Sequence, residues 1–132
     1  MIWFWVTFGG ALGAGGRYFV SGVTARYVGE VFPWGTLAVN VIGSFLIGII
    51  FVLTGPDGRL LVAPEYRQFL MTGILGGFTT FSSFSLQTLN LVQDGDWFRA
   101  GSNVLLNVVL CICGCWLGIL LAQNLTQGTL HG

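Results

Sequence analysis

The sequence predicts an all-α membrane protein with four transmembrane helices, on three observations. The mean hydropathy is +0.80 and 54% of the 132 residues are apolar. Only 8% of the residues are charged, whereas a soluble domain carries roughly a quarter. The charged residues also divide the chain into four apolar stretches, each near the ~20 residues that a helix needs to cross a bilayer. The whole chain, 1–132, is therefore predicted to be a single transmembrane domain.

The four predicted spans cover about 2–24, 34–53, 66–91 and 99–122. Span one begins with the first residues and has no basic region before it, so we expect it to remain in the mature protein. The connections after spans one, two and three are short and hold Pro, Gly and Asp, which favour turns. No extramembrane domain fits within these connections.

Glycine is unusually frequent, with 21 residues, and every span contains two small residues spaced four apart. Such pairs let helix backbones approach closely in a membrane. They predict tight helix association, either within the chain or between chains: Gly9 and Gly13, Ser44 and Gly48, Gly73 and Gly77, Gly114 and Gly118. Four helices packed so closely leave little interior volume, so function is predicted to require an oligomer.

Span three is predicted to break at mid-membrane, around Gly76 to Thr80. Two adjacent glycines followed by two β-branched threonines form a weak helix. Backbone carbonyls freed at such a depth persist only where protein or a bound ion satisfies them. The break is therefore a candidate ion site. The alternative is an unbroken helix whose glycines serve packing alone.

Two phenylalanines after the break, Phe81 and Phe84, are expected on one face of the resumed helix. The edge of an aromatic ring carries positive potential, so paired edges can attract a small anion without a full positive charge. Packing is the alternative explanation for this aromatic row.

Amide side chains occur inside spans two and four. Asn40 follows Thr36 by one turn in span two, and Asn103, Asn107 and Cys111 form a row in span four. Polar groups at this depth usually face a helix interface or an aqueous path. Their donors suit an anion, and hydrogen bonds between helices are the alternative. Arg17, late in span one, is expected to extend toward the membrane surface.

Arginines are distributed almost evenly between the two sides of the predicted membrane. Arg26 and Arg99 share one side, with Arg17 nearby, while Arg59 and Arg67 lie on the other. Because an excess of basic residues normally fixes orientation, this balance permits both orientations and hence an antiparallel homodimer. A fixed topology set by one arginine, or a missing partner, is the alternative.

Several classes of protein are excluded by the sequence. The net charge is zero, so no basic surface is available for nucleic acid. No span holds a carboxylate away from its ends, which a proton-coupled exporter would need. No catalytic motif indicates an enzyme, and the filter sequence of potassium channels is absent.

Three motifs nevertheless point to a family: GGALGAGGRY (9–18), WGTLAVNVIGSFLIG (34–48) and GGFTTFSSFS (76–85). In a chain of this length they resemble the Fluc (CrcB) fluoride channels, and the similarity covers nearly the whole chain. The resemblance implies an antiparallel, dual-topology homodimer in the bacterial inner membrane. It also implies two fluoride pathways at the subunit interface, passive fluoride export and a structural Na⁺ at the dimer centre.

The resemblance further implies a set of site residues. The backbone carbonyls of Gly76 and Thr79 would hold Na⁺, and Arg17 would serve at the vestibule or in the structure. The residues expected to line the pore and bind fluoride are Phe81, Phe84, Asn40, Thr36, Ser83 and Asn107. Span four departs from the family pattern, which often has hydroxyl groups where this chain has Asn103, Asn107 and Cys111.

Two other functions remain open at this point. A small dual-topology exporter of drugs or cations would have a similar size, and a non-transporting membrane scaffold would use its polar residues only for packing. Neither would carry fluoride.

Overall fold

A computed structural model describes residues 1–56 and 58–131, with the backbone alone for 128–131. Its regular elements are all helical: α1 (Ile2–Tyr27), α2 (Trp34–Leu53), α3 (Pro64–Gln68), a π-helix (Phe69–Leu75), α4 (Gly76–Phe78), α5 (Phe81–Gln93) and α6 (Trp97–His131). The all-α prediction is confirmed for this part of the chain.

Three helical stretches within the described residues are long and apolar enough to cross a membrane: Trp34–Leu53, Pro64–Gln93 and Trp97–Gln127. Helix α1 has 26 residues, which is ample length. Its mean hydropathy is lowered by six glycines and by Arg17 and Arg26. The transmembrane nature of α1, the first predicted span, therefore stays a prediction.

The third predicted span is a composite of several helical segments. It starts as α3, widens into the π-helix, continues as the short α4 and is interrupted at Thr79 and Thr80. These two threonines have extended backbones, with ψ of 158° and 116° respectively. The predicted interruption is confirmed. The π-helix was not predicted, since its wide turns depend on packing against α1 rather than on a local pattern.

Glycines bring α1 and the third span into backbone contact. A Cβ added to Gly9 would lie 2.7 Å from the carbonyl oxygen of Phe69, and one on Gly77 would lie 2.5 Å from that of Gly10. A Cβ on Gly13 would overlap the carbonyl of Ile74. Only glycine permits this approach, so the predicted tight association occurs here within one chain.

A second close pair of helices is formed by α2 and α6. An added Cβ would overlap the Cys115 carbonyl from Gly48 and the Phe45 carbonyl from Gly118. Together with the α1 contact, this packing holds the interruption of the third span beside the middle of α2.

Candidate ion site at the helix interruption

The side chain of Asn40 bridges the interruption of the third span. The Thr80 amide donates to Asn40 Oδ1 at 2.8 Å, and Asn40 Nδ2 donates to the Thr80 carbonyl at 3.2 Å. The side-chain amide thus satisfies both backbone groups of a residue that the helix leaves unpaired.

Two carbonyls lose their usual helical donors through these contacts. In a continuous helix the Thr80 amide would bond to the Gly76 carbonyl and the Ser83 amide to the Thr79 carbonyl. The Thr80 amide instead binds Asn40, and the Ser83 amide donates to Thr80 Oγ1 at 3.1 Å. The carbonyls of Gly76 and Thr79 are therefore released from the helical pattern.

Arg17 contacts the same interruption from α1. Its Nε donates to the Gly77 carbonyl at 3.2 Å. The side chain is half-buried and lies at the interruption, rather than extending toward the membrane surface as a snorkelling arginine would. It satisfies a third carbonyl next to the two released ones.

A line of hydrogen bonds leads from Asn40 into α6. Asn40 Nδ2 also donates to Asn107 Oδ1 at 3.1 Å, and Asn107 Nδ2 donates to the carbonyl and Oδ1 of Asn103 at 2.9 and 3.0 Å. Asn103 Nδ2 then donates to Thr88 Oγ1 at 2.9 Å, and Thr88 Oγ1 donates to the Phe84 carbonyl at 2.7 Å. We call Asn40, Asn107, Asn103 and Thr88 the amide chain.

A cavity of about 370 Å³ lies against the interruption. Its polar lining comes from Asn40, Ser44, Thr79, Thr80 and Asn107, and Gly76 also borders it. The residues that carry the released carbonyls therefore line the same cavity as part of the amide chain.

Phe81 and Phe84 border the same cavity. Their ring centroids are 5.3 Å apart, which confirms that both lie on one face of α5. The Phe84 side chain is 8% exposed while that of Phe81 is 78% exposed. One ring is thus packed within the subunit and the other projects from its surface.

A second cavity, of about 380 Å³, lies one turn further along α2 and α5. Thr36 lines it and is 4% exposed. Gln87 also lines it, and its Oε1 atom is buried without a hydrogen-bond partner among the described residues. Glu30 and Asp94 stand at the same cavity. Gln87 was not among the predicted site residues, because its place at this cavity depends on the burial of its Oε1 atom rather than on a motif.

Ser83 is partly exposed on α5 and contributes its backbone amide to the cap of that helix. Asn107 is 6% exposed and Asn103 is fully buried. Of the predicted site residues, the structure brings Asn40, Asn107, Gly76, Thr79, Phe81 and Phe84 together around the first cavity. Thr36 lies at the second one, and Arg17 approaches the interruption from α1.

The released carbonyl oxygens at the interruption are ligands that suit a hard monovalent cation. Unwound carbonyls of broken transmembrane helices are the oxygen ligands that bind Na⁺ in membrane proteins. Among the described residues, no group of three or more His, Cys, Asp and Glu side chains is positioned to hold a metal ion. A cation here would therefore depend on the released carbonyls.

The three long apolar helices among the described residues place the chain in the class of multi-pass membrane proteins. The family model described as "CrcB-like protein, Camphor Resistance (CrcB)" matches residues 4–119. The chain therefore belongs to the CrcB family, as its three motifs predicted.

Similar proteins match over almost their entire lengths. A protein of Opitutus terrae is 58% identical over 126 residues, covering 96% of each chain. Proteins of Rhodospirillum rubrum and Methylocella silvestris are 51% and 50% identical, covering 97% and 96% of this chain and 99% and 97% of theirs. All three are named fluoride-specific ion channel FluC.

Proposed function

We propose that this chain is a subunit of a passive, fluoride-selective channel that exports fluoride across the bacterial inner membrane. The observation that carries the choice of ion is the identity of 58% to a fluoride-specific channel over 96% of both chains. The interrupted span, with its amide and aromatic side chains, is where we propose that the ion crosses.

The working unit that we propose is an antiparallel homodimer with two pores along the subunit interface. Phe81 is a large apolar side chain that one subunit leaves 78% exposed, although it borders the cavity at the interruption. A second copy packed over this face would close the open side of the cavity, because an ion path needs protein walls on all sides.

Each pore would use neutral groups to replace the water around fluoride. Thr36 and Asn40 follow one another along α2, and Phe84 and Phe81 run along α5, so the two cavities form consecutive stages of one path. Ser83 adds a hydroxyl on α5. Ring edges and hydroxyls stabilise an anion weakly, which allows the ion to leave again. A fixed basic residue would hold it longer.

Na⁺ fits the interruption, where the Gly76 and Thr79 carbonyls would hold it. A bound cation there would supply a positive field in a site that has few positive charges of its own. Asn40 and Thr80 accept the two backbone N–H groups that would otherwise bond to these carbonyls. Arg17 donates to the neighbouring Gly77 carbonyl.

Fluoride efflux from proteoliposomes, followed with a fluoride electrode, tests this function. We expect efflux from the wild-type protein and its loss in Phe81→Ile and in Phe84→Ile, because isoleucine has no ring edge. Phe98→Ile is the matched control, since that ring is 84% exposed at the start of α6, and its efflux should equal the wild type. An absence of efflux from folded wild-type protein would reject the proposal.

A further inference from the structure

We propose that Asn107 and Asn103 are positioning residues, which act on the ion path through Asn40 instead of binding fluoride themselves. This inference rests on the proposed function, and it gives the span-four residues a different task from the fluoride contact expected for Asn107. The direction of the hydrogen bonds in the amide chain carries it.

The end of the amide chain at Thr88 fixes the direction of its hydrogen bonds. Thr88 Oγ1 donates its single hydrogen to the Phe84 carbonyl, so it can only accept from Asn103. Asn103 must therefore present Nδ2 to Thr88 and Oδ1 to Asn107. The hydroxyl of a residue on α5 thus sets the orientation of an amide on α6.

The same constraint passes to Asn107 and on to Asn40. Asn107 Nδ2 faces two acceptors, the carbonyl and Oδ1 of Asn103, so a reversed amide would set oxygen against oxygen. Its Oδ1 is then left to accept from Asn40. Asn40 Nδ2 meets two acceptors in turn, Asn107 Oδ1 and the Thr80 carbonyl. Only one orientation of Asn40 satisfies every partner.

No side-chain donor of Asn107 remains for an ion. Both of its N–H groups are used within α6, and the residue is 6% exposed. The same holds for the donors of Asn40, whose two N–H groups face the Thr80 carbonyl and Asn107 Oδ1, so Asn40 acts on the path by holding the interruption open. The contribution of Asn107 to the site is the correct placement of Asn40 Oδ1 against the Thr80 amide. That contact keeps the Thr80 amide away from the Gly76 carbonyl and so holds the interruption open.

Amide hydrogen exchange at Thr80, measured by NMR on the full chain in lipid nanodiscs, tests this role without relying on transport. In Asn107→Leu we expect exchange at Thr80 to rise at least tenfold, because Asn40 is no longer held in one orientation. The amide of Val39, whose side chain is fully buried, should keep its rate, since the change is local. The control Val109→Leu adds the same side chain two residues away, at a position 44% exposed, and should leave both rates unchanged.

A milder variant covers the case in which Asn107→Leu does not fold. Thr88→Val keeps the side-chain shape and removes the hydroxyl that sets the direction of the chain, so exchange at Thr80 should rise by a smaller factor. Unchanged exchange at Thr80 in folded Asn107→Leu, or in Thr88→Val if the former does not fold, would overturn the inference. Failure of the wild-type protein to carry fluoride would instead reject the proposed function. The exchange result would still decide whether the amide chain positions Asn40.

Discussion

At the interruption, single side chains form the hydrogen bonds that the backbone of a regular helix forms within itself. The amide of Asn40 supplies an acceptor for the Thr80 amide and a donor for the Thr80 carbonyl. In a bilayer these backbone groups find no water, and an unsatisfied one costs several kcal/mol. The interruption is therefore stable only because residues distant in sequence complete its hydrogen bonds.

Glycines are as decisive as the polar groups at this scale. Gly13 and Gly15 are two residues apart on α1, yet an added Cβ at Gly13 overlaps the Ile74 carbonyl while one at Gly15 meets nothing within 4 Å. The first position is a contact surface and the second is not.

We therefore expect Gly13→Ala to destabilise the protein by about 1–3 kcal/mol, because backbone atoms must move apart. Gly15→Ala should be neutral or stabilising by up to ~1 kcal/mol, since alanine favours a helix. Equilibrium unfolding in detergent measures both. Equal stabilities for the two variants would contradict the close approach of α1 to the third span.

At the scale of the elements, the third span was only partly predictable from the sequence. The Gly-Gly-Phe-Thr-Thr segment predicts an interruption because its residues are poor helix formers, and the structure has one at Thr79 and Thr80. The Arg17 contact with Gly77 joins residues 60 positions apart. No local pattern encodes such a contact, which arises only when α1 packs against the third span.

The amide chain shows the same limit. The spacing of Asn103 and Asn107 predicts that both lie on one face of a helix, and both side chains are buried. Their partners are on α2 and α5. The sequence thus indicates polar residues at an interface, and the fold determines which of their groups remain free.

The start of α6 provides a prediction for pH. Asp96 precedes the helix, accepting from the Arg99 amide at 3.1 Å and from Arg99 Nη1 at 2.6 Å. The guanidinium bond, followed by the backbone bond, lowers the pKa of the Asp96 carboxyl below its ordinary value of 3.8. A carboxyl with a lowered pKa stabilises the fold above its unfolded pKa, and this contribution is lost as the pH falls through the folded value.

We expect the wild-type melting temperature to fall as the pH drops below about 4, and the fall to be smaller in Asp96→Asn. Asparagine keeps a cap for α6 but carries no titrating charge. Thermal unfolding between pH 3 and 7 measures the difference, with Asp94→Asn as the control. The effect should be small because the pair is exposed to solvent. Identical pH profiles for the wild type and Asp96→Asn would contradict it.

At the scale of the whole molecule, the structure refines the count of arginines at each membrane surface. Arg17 is engaged at the interruption. Arg67 lies at the end of α2, where its Nε donates to Thr54 Oγ1 at 3.0 Å, and Arg59 is in the adjoining connection. Arg26 and Arg99 lie toward the opposite end. Two arginines therefore stand at each end, and the dual topology that we propose depends on this balance.

Labelling of a single cysteine tests the antiparallel arrangement that we propose. Leu61→Cys, at a position 93% exposed in the connection after α2, leaves the arginine balance intact. It would be made in a protein whose native cysteines (Cys111, Cys113, Cys115) are replaced by alanine, and intact cells would receive a membrane-impermeant maleimide. We expect labelling of about half of the molecules, rising to all of them after permeabilisation, because the two orientations insert equally. Complete labelling, or complete protection, of intact cells would reject dual topology.

The π-helix at Phe69–Leu75 has a consequence for insertions and deletions. Its hydrogen bonds reach one residue further than those of an α-helix, so the segment contains one residue more than regular pitch requires. A single deletion within it would restore that pitch and leave the threonines after it facing α2 as before. The same deletion inside α5 would rotate everything beyond it by about 100°. The π-helix thus contains one residue that could be deleted without turning the polar residues after it toward lipid.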